Sequence, residues 1–442
     1  MYFYTITALV LISLLLLCTA GCTTNLPYRT TLDRPNTPNS VIETTPEYKL
    51  GFVEFDDQGW FYDVRQKAAV ETMIRTEAGI GTQNETPVIL VLFVHGWKNN
   101  AASDNGNVNT FRAVLKQLND LEVHLSQIQK RNPRKLIGVY GGWRGLSIKS
   151  DYFPLPLGKE LSFWGRKNTA QRVGGYGGMT ELMMDLETLQ ATSNRSLPAS
   201  AATSKLIIVG HSFGADVVYN ALSQIITERF VDTIKEHPGS LLKPVGDQVI
   251  LLNPAFEASR LYDLKQLARS VTNYAPDQRP VLSVFQSKGD WATGDVFPVG
   301  QRLGTMFQSC RTNFQKQANI KAVGWFEPFF THQLVFDTHA ATANDGKGNA
   351  ASEKVQLRAS GKLPETIKNI TTQRHIWRTA TAQVTTNVFG PCIMISSADY
   401  QPRNPIVVVT VDKRIMKDHD DIANPNLINF LQEYIPFCDN DQ

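Results

Sequence analysis

Residues 205–214, KLIIVGHSFG, constrain the fold of this chain more than any other stretch. Leu206 to Val209 are apolar without interruption, as in a strand buried on both faces of a parallel sheet. The strand pattern stops at Gly210, and a helical pattern, ADVVYNALSQII, starts at Ala215. Only a tight turn joins the two, and Gly210 and Gly214 supply the small residues that such a turn needs. Ser212 is then lifted out at the carboxyl end of the strand, above a helix N-terminus. The spacing G-x-S-x-G is weak by itself, because Gly and Ser are common residues. The strand before it and the helix after it give it weight.

The rest of the chain repeats that rhythm. Pro87 opens PVILVLFVHG, and KLIGVYGGW, QVILLNP, RPVLSVFQSKGD and PIVVVTVD are further runs of buried-strand character. A helix lies between the first two, with Phe111, Val114, Leu115, Leu118, Leu121 and Leu125 on one face. The closing segment NPNLINFLQEYI is also helical. Strands alternating with helices predict an α/β fold, a doubly wound and mostly parallel sheet. A long insertion, about 301–399, interrupts the rhythm before the last strand and is expected to lie over one end of the sheet. It holds the aromatic cluster Trp325, Phe326, Phe329 and Phe330, which fits either a lid or acyl pocket, or plain core packing. A second irregular stretch runs from Gly145 to Gly178.

The N-terminus is of a different kind. Residues 1–21 contain no charge, and their apolar core, Ile6 to Cys18, is shorter than the roughly 20 residues of a spanning helix. It has the length of a signal-peptide core. Thr19, Ala20 and Gly21 then precede Cys22, which resembles the lipobox of bacterial lipoproteins. The resemblance implies cleavage before Cys22, a diacylglycerol on its thiol, and anchoring in the cell envelope. Thr23, where Asp is absent, implies the outer membrane in a Gram-negative cell. The sequence departs from that pattern in having no Lys or Arg before the apolar core. A plain signal peptide or an uncleaved anchor is the alternative. Residues 22–48, rich in Thr, Pro and Asn, read as a linker, and 49–442 as the globular domain. Cys310, Cys392 and Cys438 allow one disulfide in an exported chain, and none sits in a catalytic-thiol motif.

Composition removes several function classes. Forty-four basic and 41 acidic residues leave a formal charge of +3, so nothing points to a nucleic-acid partner. CxxC, HExxH and GxxxxGK[ST] patterns are absent, which argues against zinc fingers, zincin proteases and P-loop NTPases.

With GHSFG at 210–214 and His95-Gly96-Trp97 at the end of the first long strand, residues from about 87 to 435 resemble the α/β-hydrolase superfamily, in particular its serine esterase and lipase-like members. The resemblance implies Ser212 as nucleophile and an oxyanion hole formed by the backbone N–H groups of Trp97 and Phe213. It places the acid after the fifth strand, where both Asp290 and Asp295 stand, Asp290 at the more usual spacing. It places the base late in the chain, at His419 within KDHDDI. Neighbouring Asp418, Asp420 and Asp421 would raise the pKa of His419 if close. His95 is expected to be structural, and His211 to point away from the nucleophile. His124 and His237 are expected at the surface, and His332, His339 and His375 fall in the insertion. The loop HGWKNN departs from the HGGG of one lipase group. The implied activity is serine-dependent cleavage of a carboxylic ester, needing no metal or cofactor, by a protein whose partners are an ester substrate and, through its lipid anchor, a membrane. The competing readings are an amide, peptide or thioester hydrolase, and a non-catalytic envelope lipoprotein that uses the fold for binding.

Overall fold

The computed structural model describes residues 25–146, 157–198, 201–236, 239–271, 273–337, 363–381 and 384–438. The apolar stretch Ile6 to Cys18 and Cys22, on which the expected signal peptide and lipid anchor rest, lie outside these residues. Among the described residues, no helix is long and apolar enough to cross a membrane.

Eleven described strands form one sheet: β1 Ile42–Thr44, β2 Tyr48–Phe55, β3 Val88–Val94, β4 Lys135–Trp143, β5 Lys205–His211, β6 Gln248–Leu252, β7 Leu282–Ser287, β8 His332–Phe336, β9 Thr386–Phe389, β10 Cys392–Ser396 and β11 Ile406–Val411. Their order is β1-β2-β4-β3-β5-β6-β7-β11-β8-β10-β9. From β2 to β8 every neighbouring pair is parallel. The antiparallel pairs are at the edges, β1 on β2 at one side and β8-β10-β9 at the other. The six apolar runs are the sheet centre, because only a strand covered on both faces can be apolar on both.

Alternate residues of one strand feed two separate cores. Leu90, Leu92 and Val94 of β3 pack with Phe213, Leu222 and Phe230 on one face. Val91 and Phe93 pack with Phe111, Leu115 and Phe430 on the other. The helices Gly106–Ile128 and Pro425–Cys438 cover the second face, and Gly178–Ser196, Phe213–Glu236 and Ala258–Ser270 cover the first. This is the doubly wound α/β architecture. β3 has β4 on one side and β5 on the other. The winding reverses there, which opens a crevice at the carboxyl ends of β3 and β5.

Three sequence expectations change. The stretch before residue 48 is packed rather than a free linker from Tyr28 onward. Arg29 is fully buried; its N–H donates to Glu54 Oε1 at 2.7 Å and its Nε to the Ala101 carbonyl at 2.7 Å. Its Nη1 pairs with Glu43 at 2.9 Å, and the guanidinium lies 3.6 Å from the centre of the Phe52 ring. Composition concealed this because the partners come from β2 and the loop after β3. The insertion, expected over one end of the sheet, also lengthens it. β8 continues the parallel sheet beside β11, and β10 and β9 follow as an antiparallel hairpin. Within the aromatic cluster, Phe326 and Phe329 are buried and Trp325 and Phe330 pack against the same core. Finally, Cys310, Cys392 and Cys438 are all free thiols.

Candidate active site

The turn after β5 is strained and tightly held. Ser212 has φ 56°, in the left-handed region, where a residue with a Cβ is disfavoured by roughly 1–2 kcal/mol. Its N–H donates to the Leu252 carbonyl at 3.0 Å, and its own carbonyl accepts from Ala215 at 3.1 Å and Ala255 at 3.2 Å. The flanking glycines are required by close approach. A Cβ on Gly214 would lie 2.1 Å from the Val94 carbonyl oxygen, and one on Gly96 would lie 2.7 Å from Ser212 Cβ. The end of β3 therefore touches the turn backbone to backbone, and the residue after Gly96, Trp97, is brought to the serine.

Ser212, His419 and Asp290 come together in one line of hydrogen bonds. His419 Nε2 lies 2.7 Å from Ser212 Oγ, and His419 Nδ1 lies 2.9 Å from Asp290 Oδ2. A carboxylate accepts, so Nδ1 carries the proton and Nε2 is left to accept from the serine hydroxyl. Asp290 is buried just past β7 and also accepts from Gln286 Nε2 at 2.9 Å, from the Thr293 N–H at 3.1 Å and from the Thr293 hydroxyl. Asp295 is exposed, and among the described residues it makes no bond to His419.

Burial alone would raise the pKa of Asp290, but the hydrogen bond and charge of His419, with the Thr293 bonds, bring it below the ordinary value. Burial likewise disfavours His419 as a cation, yet the hydrogen bond and charge of Asp290 outweigh it and raise its pKa, with Asp420 adding and Lys98 subtracting. Asp418 and Asp421 are turned to local partners. Asp418 accepts from the Asp420 N–H at 3.2 Å, and Asp421 from the Lys417 N–H at 2.8 Å and Asn424 at 2.7 Å.

His211, expected only to point away from the nucleophile, and Asn253, which the sequence did not single out, hold the His419 loop. His211 Nε2 donates to the His419 carbonyl at 2.8 Å. Asn253 Nδ2 donates to the same carbonyl at 3.0 Å and to that of Asp418 at 3.1 Å. Asn253 Oδ1 accepts from the Ser287 N–H at 2.8 Å, which ties the ends of β6 and β7 to the same loop. His211 was visible only as the second residue of the motif, and Asn253 only as the polar residue ending an apolar run.

The remaining histidines divide by burial. His95 is buried; its Nε2 accepts from the Trp143 N–H at 3.0 Å, so its Nδ1 donates to the Gly96 carbonyl at 2.9 Å. Burial lowers its pKa to about 4, and that of His211 also to about 4, where the His419 charge contributes. His332 is lowered to about 3, again chiefly by burial. His124 bonds the Asp120 carbonyl at 2.6 Å on its own helix, and His375 is exposed. His237 and His339 lie outside the described residues.

Phe213 is the first residue of its helix, so no carbonyl one turn back can accept its N–H. Among the described residues, neither that group nor the Trp97 N–H has a backbone partner. Phe163 packs between them, with ring centroids 5.2 Å from Trp97 and 4.7 Å from Phe213. Lys98, also left-handed at φ 67°, is fixed by its N–H to the Gly145 carbonyl at 3.0 Å, and its ammonium lies 4.1 Å from the centre of the Trp97 ring. His211, His419 and Asp420 bring three donor atoms within 4.8 Å of one another. The His419 nitrogens are engaged by Ser212 and Asp290, and His211 Nε2 by a carbonyl, so this trio does not offer a ready metal cage.

Residues 187–325 match a family described as "Alpha/beta hydrolase of unknown function (DUF900)". That span contains β5, the Ser212 turn, β6, β7 and Asp290. Comparison with curated proteins and with solved structures returned no match.

Proposed function

We propose that this protein of the α/β-hydrolase superfamily is a serine hydrolase that cleaves carboxylic esters through an acyl-enzyme. The observation that carries the reading is the hydrogen-bonded line Ser212–His419–Asp290, beside the Trp97 and Phe213 N–H groups, which have no backbone partner among the described residues. In the proposed reaction His419 Nε2 takes the proton of Ser212 as Oγ attacks the ester carbonyl. The Trp97 and Phe213 N–H groups receive the oxyanion, each worth about 3 kcal/mol of barrier. Asp290 holds the imidazole tautomer and stabilises the imidazolium. The imidazolium returns its proton to the departing alcohol, and a water activated by the same base then releases the acid.

A fluorophosphonate probe tests this reading. Labelling of the wild-type chain and its loss in Ser212→Ala is the expected result. Labelling that does not depend on Ser212 would overturn the assignment, and no labelling would favour a binding protein. A panel of esters, amides and thioesters of varied acyl length then ranks the substrates. We also retain lipid anchoring at Cys22 as a proposal; incorporation of labelled fatty acid that vanishes in Cys22→Ala is its test.

A further inference from the structure

We propose that the segment from Trp291 to Phe307 is a membrane-docking surface that seats the rim of the Ser212 site on an anionic lipid bilayer. The segment is helical from Trp291, passing through a π-helical turn at Ala292–Val296 and continuing as the helix Phe297–Gly304, and it ends in a turn at 305–307. Its inner side is packed: Phe297, Pro298, Gly300 and Gln301 are buried. Its outer side carries Val299 and Leu303, four apart on the helix, and the turn that follows adds Met306 and Phe307; all four are exposed, Leu303 by 68% and Phe307 by 93%. Trp291, 61% exposed, begins the run. A soluble chain buries such a helix stripe against a partner, and this one has none among the described residues.

Charge selects the partner. Between Asp295 and Glu327 the chain carries Arg302, Arg311, Lys316 and Lys321 and no acidic residue. The segment itself holds one acid, Asp295, and one cation, Arg302, and the chain that continues from it to Glu327 adds three cations and no acid, against a whole-chain charge of only +3. An exposed apolar face that carries Arg302 and runs on into a chain stretch with Arg311, Lys316 and Lys321 matches a bilayer with acyl chains below an anionic headgroup layer. A second copy of the chain would bring the same positive face against itself. Residues 338–362 hold only Val355 and Leu357 as large apolar side chains and carry four cations against two acids, so they complement the stripe neither in apolar content nor in charge.

The position gives the surface its use. Trp291 follows Asp290, the residue bonded to His419, so docking brings the membrane to the rim of the site. This contact is separate from the N-terminal leader and from Cys22, and it stands whether or not Ser212 cleaves esters.

The test reads the segment locally. Full-length chain carrying Cys22→Ala is mixed with vesicles of phosphatidylcholine and brominated phosphatidylglycerol, and tryptophan quenching is compared with that of the Trp291→Phe protein. We expect a Trp291-dependent quenching component that weakens with added salt and with vesicles of phosphatidylcholine alone. Leu303→Asp with Phe307→Asp should lower it by about fivefold or more while far-ultraviolet circular dichroism is unchanged. Arg302→Glu with Arg311→Glu, which leaves the apolar face intact, should also weaken it and serves if the first pair does not fold. Absence of Trp291 quenching, or quenching indifferent to both pairs, would overturn the proposal. So would self-association that the Asp pair abolishes in a protein that ignores vesicles, because a second copy would then be the occupant.

Discussion

His211 Nε2 donates to the His419 carbonyl at 2.8 Å, so the residue before the proposed nucleophile holds the residue proposed to activate it. With Asn253 on the same oxygen, two donors fix one loop. A base displaced by about 1 Å loses on the order of 100-fold in rate. His211→Ala is therefore expected to lower kcat by about 10–100-fold with KM little changed, and His211→Gln, which keeps a donor, to recover part of it. Steady-state kinetics on one ester decide the matter; a rise in KM with constant kcat would point to a binding role instead.

The pH profile follows from Asp290. The proposed base acts only when neutral, and Asp290 raises the pKa of His419 against the effect of burial. Activity should therefore rise with pH through an inflection above the ordinary histidine value of about 6.5. Asp290→Asn removes the carboxylate charge, so the inflection should move down. The rate at its plateau should fall by roughly 10³–10⁴-fold, because the imidazole tautomer is no longer enforced. Measuring kcat/KM from acid to alkaline pH for both proteins checks the direction and the loss together.

Stability should fall in mild acid. His95 and His211 have pKa values lowered to about 4 and His332 to about 3, so each stays neutral in the fold at a pH where the unfolded chain is protonated. Below about pH 6.5 the unfolded state binds the extra protons, and each such histidine removes about 1.4 kcal/mol per pH unit. His419, raised by Asp290, acts with the opposite sign: it favours the fold below about pH 6.5, and that contribution is lost as pH rises through its folded pKa. His332 lies in the β8 half of the sheet, away from that pair. His332→Gln should flatten the acid limb by about one proton in urea titrations run between pH 7 and pH 4.

Arg29 should be as costly to remove as a core residue. It is fully buried, bonded to the Ala101 carbonyl, paired with Glu43 and stacked on Phe52. Arg29→Ala strips the buried face of Glu43 of one cation and opens a void over Phe52. A loss of about 3–5 kcal/mol is expected by chemical denaturation, where a tether would lose almost nothing.

Much of the sheet was legible because its central strands are apolar on both faces, and a contiguous run of such residues has few other uses. The edge strands were not. β9, TNVF, alternates exposed and buried positions, and β2 carries Lys49 and a buried Glu54 whose partner is Arg29. A polar residue inside a strand reads as a break until its partner is known.

The same division runs through the candidate site. The sequence by itself determined the turn: Gly210, Ser212 and Gly214 lie within five residues, and local sterics allow that spacing one sharp strand-to-helix bend. It also determined that a serine, a late histidine and two aspartates occur in a workable order. Tertiary structure alone set Asp290 rather than Asp295 against His419, enlisted His211 and Asn253 to hold His419, and buried Arg29. Those pairings join residues far apart in the chain, 207 positions for Ser212 and His419 and 129 for His419 and Asp290. Turn and strand preferences are written in neighbouring residues, whereas a hydrogen bond across such distances exists only where packing brings two strand ends within 3 Å of one another's side chains.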